Sequence, residues 1–231
     1  MKVGIFLVDH QTLDSQCGYI SAAALVQSIR RVMPGITVVQ FTDEHSAPLE
    51  GVEVQRLPNT HMALLRMQHH ASVDGDWLFL DADVLVQQDV THVFDQAFDV
   101  ALTKRDWTHL KKAGGFTKRM PTNTGVVFSR CPAFWDAVCR RLRELPKEKR
   151  RWMGDQEVIG ELLGSQTFTV KMISGARYNY PPPLPSLIAD DEDDDGVSQE
   201  LLAQAAIVHY KGPRRKPMLL ERIRQEALTC V

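Results

Sequence analysis

The run Trp77-Leu78-Phe79-Leu80-Asp81-Ala82-Asp83 carries four apolar residues into two carboxylates one residue apart. In an extended chain, residues i and i+2 point to the same face. Two like charges on one face at the end of an apolar strand repel and are poorly solvated, and a divalent cation held between them relieves both penalties. The plainer alternative is that Asp81 and Asp83 simply end the strand at the surface. A second segment far along the chain bears on the choice: the apolar Ala206-Ile207-Val208 delivers His209, followed by Gly212 among Lys211, Arg214, Arg215 and Lys216. An imidazole beside two carboxylate oxygens suits manganese as well as magnesium. A glycine lets backbone approach a phosphate, and the cations offer it positive charge. Taken singly, His209 also reads as a core histidine and the cations as a solvated turn. Between these segments, Pro121-Thr122-Asn123-Thr124-Gly125 sets a carboxamide and hydroxyls before an apolar run, a pattern for hydrogen bonding a polyol or for a turn. Asp155 and Gln156 stand at an expected helix start, where Asp155 reads equally as a cap.

These residues need a scaffold that brings positions 81, 123, 155 and 209 together. Residues 3–8 form a continuous apolar run, followed by a polar loop and a helical stripe of Ile20, Ala23, Ala24, Gln27, Ile29 and Val32 that stops at Pro34-Gly35. Strands are expected over 36–41, 52–57, 77–80, 100–103, 125–129 and 168–173, with helices over 62–71, 133–145, 156–163 and 218–228. Strands alternating with helices imply a mostly parallel sheet with helices on both faces. The stretch 106–121, with Lys111, Lys112, Gly114, Gly115, Lys118 and Arg119, reads as a lid or binding loop. Pro181-Pro182-Pro183 and Pro185 open an irregular surface excursion that runs into the acidic residues 190–195.

Composition narrows the class. The chain has 231 residues, 44% hydrophobic and 24% charged, the profile of a soluble globular protein in which one domain with long functional loops is expected. Its formal net charge of -2 conceals a mildly basic body, because the 190–195 run alone contributes six acidic residues. Seven of the twelve residues from 140 to 151 are basic, which reads as a solvated helix end or as a site for an anionic acceptor. Four dispersed cysteines make no disulfide framework and fit a reducing compartment. The apolar start is too short for a signal peptide or a membrane span, and the 218–228 helix is expected to pack on the body rather than to anchor it, so a cytoplasmic location is expected.

In chain order, the apolar first strand, L-D-A-D at 80–83, N-T-G-V at 123–126, G-D-Q at 154–156 and H-Y-K-G with K-P at 209–217 resemble the retaining nucleotide-sugar glycosyltransferases of the GT-A fold, specifically the glycogenin-like family 8. The resemblance covers most of the chain. It implies one GT-A domain over 1–231, with a nucleotide-binding half at 1–105 and a sugar and acceptor half at 106–231. It also implies Mn2+ or Mg2+ on Asp81, Asp83 and His209, and a donor that is a nucleotide-diphosphate sugar, specifically a UDP-sugar. Val8 and Asp9 match the nucleobase position, and Arg66 and Ala82 fall in the donor site. Gly212 and Lys216 match the diphosphate loop, and Asn123, Asp155 and Gln156 lie around the transferred sugar. Lys216 would assist departure of the diphosphate, and Asp155 or Gln156 would lie beneath the anomeric carbon.

The sequence departs from the family pattern in three places. One extra residue separates Gly212 from Lys216, so Arg215 could take the lysine's place; Met218 follows Lys216-Pro217 where many relatives have Trp; and Thr124 precedes Gly125 where Ser is usual. The acceptor stays open among a glycan, a protein and a modified nucleic acid. Two other readings are a noncatalytic relative that binds nucleotide sugar or glycan, and a sugar nucleotidyltransferase. The second would need a Gly-rich, Arg-containing loop after the first strand, where this chain has His10-Gln11-Thr12-Leu13-Asp14.

Overall fold

The computed structural model of the chain describes residues 1–9, 13–58, 61–105, 120–149, 154–164, 167–184 and 194–229. Seven strands make one sheet: β1 (Lys2–Phe6), β2 (Val38–Thr42), β3 (Glu53–Arg56), β4 (Trp77–Asp81), β6 (Val100–Lys104), β7 (Thr122–Ser129) and β8 (Val170–Ile173). Their spatial order is β3-β2-β1-β4-β7-β6-β8, and every neighbouring pair is parallel except the two that involve β7. A separate antiparallel ribbon joins β5 (Val84–Val86) to β9 (Ile207–His209). The described helices are α1 (Leu13–Val32), α2 (Met62–Ala71), α3 (Pro132–Glu144), α4 (Gly154–Leu162), the single turn α5 (Gly175–Tyr178), α6 (Asp194–Gln204) and α7 (Lys216–Thr229). No described helix is long and apolar enough to cross a membrane.

Strand periodicity divides the core into two layers. In β4, Leu78 and Leu80 join Val3 and Ile5 of β1 and Leu25 and Ile29 of α1 on one face. Trp77 and Phe79 point the other way, into a cluster with Phe41, Met67 of α2, Trp135 of α3 and Val158 of α4. This is period-two alternation with helices on both faces, as expected from the strand and helix pattern. Gly4 sits between Val3 and Ile5 on the second face, where a Cβ would collide with the Phe41 ring and lie 2.9 Å from Phe79 Cδ1. A side chain there would displace the aromatic layer.

Several local expectations change. Helix α1 is present, but Ile20 is 49% exposed, and the buried row is Ser21, Ala22, Leu25, Val26, Ser28, Ile29 and Met33. Two serines hide that row from a hydrophobic count. Ser21 donates to Cys17 O at 2.7 Å, while Ser28 donates to Leu25 O at 2.8 Å and accepts from Val86 N at 3.1 Å, so both hydroxyls are satisfied inside. Pro181 and Pro182 are buried behind the buried Tyr180 rather than on the surface, because residue 180 bridges to Val208 beside β9. Most of the acidic run and residues 106–119 of the expected lid lie outside the described residues, although α6 begins at Asp194, inside a segment expected to be irregular. At the basic helix end, Arg140, Arg141 and Arg143 are exposed and Arg141 pairs with Glu144 and Glu161, while Arg150 and Arg151 are not among the described residues. The C-terminal helix does pack back: Leu219 is fully buried and Glu226 bonds Arg31 of α1 at 3.1 Å.

Helix α2 also buries two histidines. His69 is fully buried and donates Nε2–H to Thr42 O at 2.9 Å, and burial pushes its pKa from 6.5 down to about 4. His70 stacks on Phe79 at 3.8 Å between ring centroids, and burial, with Arg66 and His69 nearby, drives it well below 6.5. Unfolded histidines bind the proton first, so this stabilisation is present above 6.5 and is lost as pH falls through the window down to about 4. Urea unfolding is expected to show His69 alone removing about 2 kcal/mol between about pH 7 and about pH 5. A His69→Gln variant should flatten that slope; an unchanged slope would refute the assignment.

Candidate functional site

Strand β1 pairs with β2 on one side and with β4 on the other, so the parallel order reverses at its carboxyl end. Ligands of open α/β sheets bind at such a reversal. Asp81, the last residue of β4, pairs with Phe6 at that edge, and the turn through Ala82 and Asp83 leads into β5. The ribbon register then sets Val84 opposite His209, and Tyr210 N donates to Asp83 O at 2.9 Å. Backbone pairing thus joins two positions far apart in sequence. His209 Nε2 stands 3.1 Å from Asp83 Oδ1 and 3.7 Å from Asp81 Oδ2, and one ligand atom from each residue falls within 4.8 Å of the others.

These donors fit a divalent metal ion. Two carboxylate oxygens and an imidazole nitrogen suit Mn2+ or Mg2+, and His209 is 2% exposed while the two carboxylates remain half-buried. Gly125 supports the same reading, since a Cβ there would lie 2.6 Å from His209 Nδ1 and 2.8 Å from Asp81 Oδ2. Strand β7 places it. The β6 ladder pairs Leu102 with Val127 and then Thr103 with Asn123, so residues 124–126 are skipped and β7 bulges at the triad. Bulges of this kind re-aim residues beside active sites.

Arg66 of α2 reaches Asp81 Oδ1 at 2.9 Å and also donates to Thr124 O. Burial pushes the Asp81 carboxyl up, opposed by the charges of Arg66 and His209. At Asp83 burial also works upward, but the His209 charge and hydrogen bond outweigh it and the carboxyl lies below its ordinary range.

On the sugar side of the expected site, Asn123, Asp155 and Gln156 are all buried. Asn123 Oδ1 accepts the Gly125 N–H at 2.9 Å, so its oxygen is already engaged. Asp155, in the first turn of α4, accepts from Thr124 Oγ1 at 3.2 Å. Gln156 accepts a hydrogen bond from Arg105, which also donates to Thr122 O at 2.9 Å. A guanidinium can only donate, so the Gln156 carboxamide turns its oxygen to Arg105. Burial, offset in part by Asp155, lowers the Arg105 pKa to about 10.

On the phosphate side, Gly212 has φ +81°, a left-handed turn that favours glycine. Burial, with Arg105 and Arg215 nearby, pushes the Lys211 ammonium down to about 6 against the pull of Asp83 and Asp81. Lys216 is the first residue of α7 and close enough for its charge to lower the Asp83 pKa, whereas Arg215 Nε donates to Pro182 O at 2.6 Å. Val8 and Asp9 follow β1, both half-buried, and Asp9 N donates to Ser46 Oγ at 2.7 Å. Asp81, Asp83, His209, Arg66, Gly125 and Lys216 thus gather at one edge, with Asn123 and Asp155 linked to it through the bulge. Sequence reasoning missed Arg105 and Asn179 altogether, and took Lys211 only as one of several cations.

No protein-family model matches the sequence, and no curated protein matches it. Solved structures do. The chain is similar to galactosyltransferase LgtC in complex with donor and acceptor sugar analogs, at TM-score 0.60 and 14% identity over 92% of this chain and 88% of that one. It is also similar to a glycosyltransferase involved in the glycosylation of the major capsid of PBCV-1, at TM-score 0.59 and 16% identity over 95% and 99% of the two chains. A third match is the glycosyltransferase GlyE of Streptococcus pneumoniae TIGR4, at TM-score 0.64 and 17% identity, where the alignment covers 96% of this chain and 60% of that one. The likeness is one of fold, and the fold is GT-A.

Proposed function

We propose that this chain is a retaining glycosyltransferase of the glycogenin-like family 8, transferring a sugar from a UDP-sugar to an acceptor hydroxyl with Mn2+ or Mg2+ on Asp81, Asp83 and His209. The observation that carries the reading is the meeting of those three ligand atoms, within 4.8 Å of one another, at the carboxyl edge where the sheet order reverses. When bound, the ion would offset negative charge on the departing diphosphate.

The chain's own residues supply the rest of the catalysis. Lys216 opens α7, so its ammonium and the positive end of the helix dipole act on the same side of the leaving group. Gly212 lets the backbone approach that group, and Arg66 holds Asp81 in place at 2.9 Å. Val8 and Asp9 take the nucleobase at the end of β1. Around the sugar, Asn123 offers its NH2 group, because its oxygen is engaged by Gly125. Arg105 holds the Gln156 oxygen, which leaves the Asp155 carboxylate as the group to stabilise positive charge developing at the anomeric carbon. The acceptor remains a glycan, a protein or a modified nucleic acid.

The test is a panel of nucleotide sugars incubated with Mn2+ and no acceptor, read by release of free nucleotide and repeated with EDTA. Hydrolysis of one UDP-sugar that EDTA stops is the expected result. No release from any donor, together with no thermal shift from UDP and Mn2+, would overturn the reading.

A further inference from the structure

Neither the metal triad nor the sugar contacts account for Asn179, a fully buried polar side chain just after α5. The geometry points to Asn179 as the positioning residue that fixes the protonation pattern of His209, an inference that rests on the metal reading above for its purpose. The backbone N–H of Gly125 can only donate, and it donates to Asn123 Oδ1 at 2.9 Å, which identifies that atom as the oxygen. The atom of Asn179 that lies 2.9 Å from Asn123 Oδ1 must therefore be its nitrogen. The same nitrogen donates to Thr103 Oγ1 at 2.6 Å, while the Thr103 hydroxyl donates onward to Asn123 O at 2.9 Å. Asn179 thus has its NH2 group turned to β6 and β7 and its oxygen turned the other way. That oxygen sits 2.7 Å from His209 Nδ1.

An amide oxygen only accepts, so His209 Nδ1 carries a proton. The consequence falls on the opposite ring nitrogen. With a proton fixed on Nδ1, the imidazolium donates its second proton, on Nε2, in a hydrogen bond to Asp83, and the neutral ring instead turns the Nε2 lone pair to Asp83 and Asp81, at 3.1 and 3.7 Å. A lone pair directed at two carboxylates is a ligand arrangement for a cation. A free imidazole prefers the other tautomer, with the proton on Nε2, which would close the site. Metal-bound histidines are held in this way by a partner on the far nitrogen. The backbone reinforces the side chain: Tyr180 N donates to Ile207 O at 3.0 Å and His209 N to Tyr180 O at 2.8 Å, so residues 179 and 180 run beside β9 and carry the oxygen to the ring.

The test uses the intact chain without added metal, labelled with 15N. Two-bond proton–nitrogen spectra of the neutral ring are read with the His209 signals assigned by their loss in His209→Gln. The expected result is a proton on Nδ1 in the wild type, moved to Nε2 in Asn179→Leu, and kept on Nδ1 in Asn179→Asp, which retains an acceptor while losing the donors to Asn123 and Thr103. Mn2+ affinity, read by electron paramagnetic resonance, should fall about 10- to 100-fold in Asn179→Leu and far less in Asn179→Asp. A purely structural role would make the two variants fail alike and leave the ring tautomer where it was, and either finding overturns the assignment. If Asn179→Leu does not fold, an Nε2–H tautomer in Asn179→Asp overturns it just as well. A wild type that binds no Mn2+ would sink the metal reading alone, since the tautomer comparison is made without metal.

Discussion

Asp83→Asn is expected to lose Mn2+ binding and turnover while keeping the fold. The substitution removes one of the two proposed anionic ligands and leaves the volume almost unchanged. Losing an outer partner of a ligand already costs about 10- to 100-fold in metal affinity, so losing the ligand itself should cost at least about 100-fold. Metal-borne stabilisation of transition-state charge amounts to several kcal/mol, which puts the loss of turnover at about 100- to 10,000-fold. The effect on folding should be small, because two electrostatic changes oppose each other. Asp83 is half-buried beside Asp81, and a neutral carboxamide removes the repulsion between two like charges but also gives up the attraction of His209 that holds the Asp83 carboxyl below its ordinary range. It can also donate to His209 Nε2, from which Asp83 Oδ1 now stands 3.1 Å away. Thermal unfolding with and without Mn2+ separates the two effects. The wild type should gain stability from the ion and the variant should not, with the two metal-free proteins similar in stability. An equal gain in both would show that Asp83 is not a ligand.

The parts of this site that were legible in the sequence share one property: each lies where a regular element ends. Asp81 and Asp83 follow an apolar strand and His209 closes another, so the change from apolar to ionisable residues marks them. Asn179 had no such mark. It follows a single helical turn, and its partners lie 30 residues away at His209 and 56 residues away at Asn123, contacts that only the folded sheet creates. Arg105 is similar, bonded across 51 residues to Gln156. The buried face of α1 differs from the expected stripe for another reason. Serines at 21 and 28 bond to neighbouring backbone groups and bury like apolar residues, so a count of hydrophobic side chains finds the helix and Ile29 but places Ile20, Ala23 and Gln27, which are exposed, on the buried side. Pro181 and Pro182 read in the sequence as turn formers at the surface, whereas the bridge of residue 180 beside β9 draws them inward. The strand β7 began three residues earlier than its apolar run, since Thr122, Asn123 and Thr124 are held by hydrogen bonds rather than by hydrophobic burial alone.

Gly125→Ala is expected to abolish metal binding by adding one methyl group. The new Cβ would lie 2.6 Å from His209 Nδ1 and 2.8 Å from Asp81 Oδ2, closer than real Cβ atoms approach a neighbour. Neither neighbour can yield cheaply. His209 is held on β9 by backbone bonds and by Asn179 at 2.7 Å, and Asp81 is held by Arg66 at 2.9 Å. Relief therefore requires turning the imidazole or pushing β7 away from β4, and either move separates the ligand atoms. Overpacking of this kind destabilises by about 1–3 kcal/mol, and a fall in Mn2+ affinity beyond about 100-fold should accompany it. Gly75→Ala supplies the contrast. Gly75 has φ +91° with no atom within 4 Å of an added Cβ, so that substitution strains the backbone away from the site. It should lower stability to a comparable degree and leave Mn2+ binding intact. If Gly125→Ala binds Mn2+ as tightly as the wild type does, the close approach of β7 to His209 and Asp81 is not what shapes the metal centre.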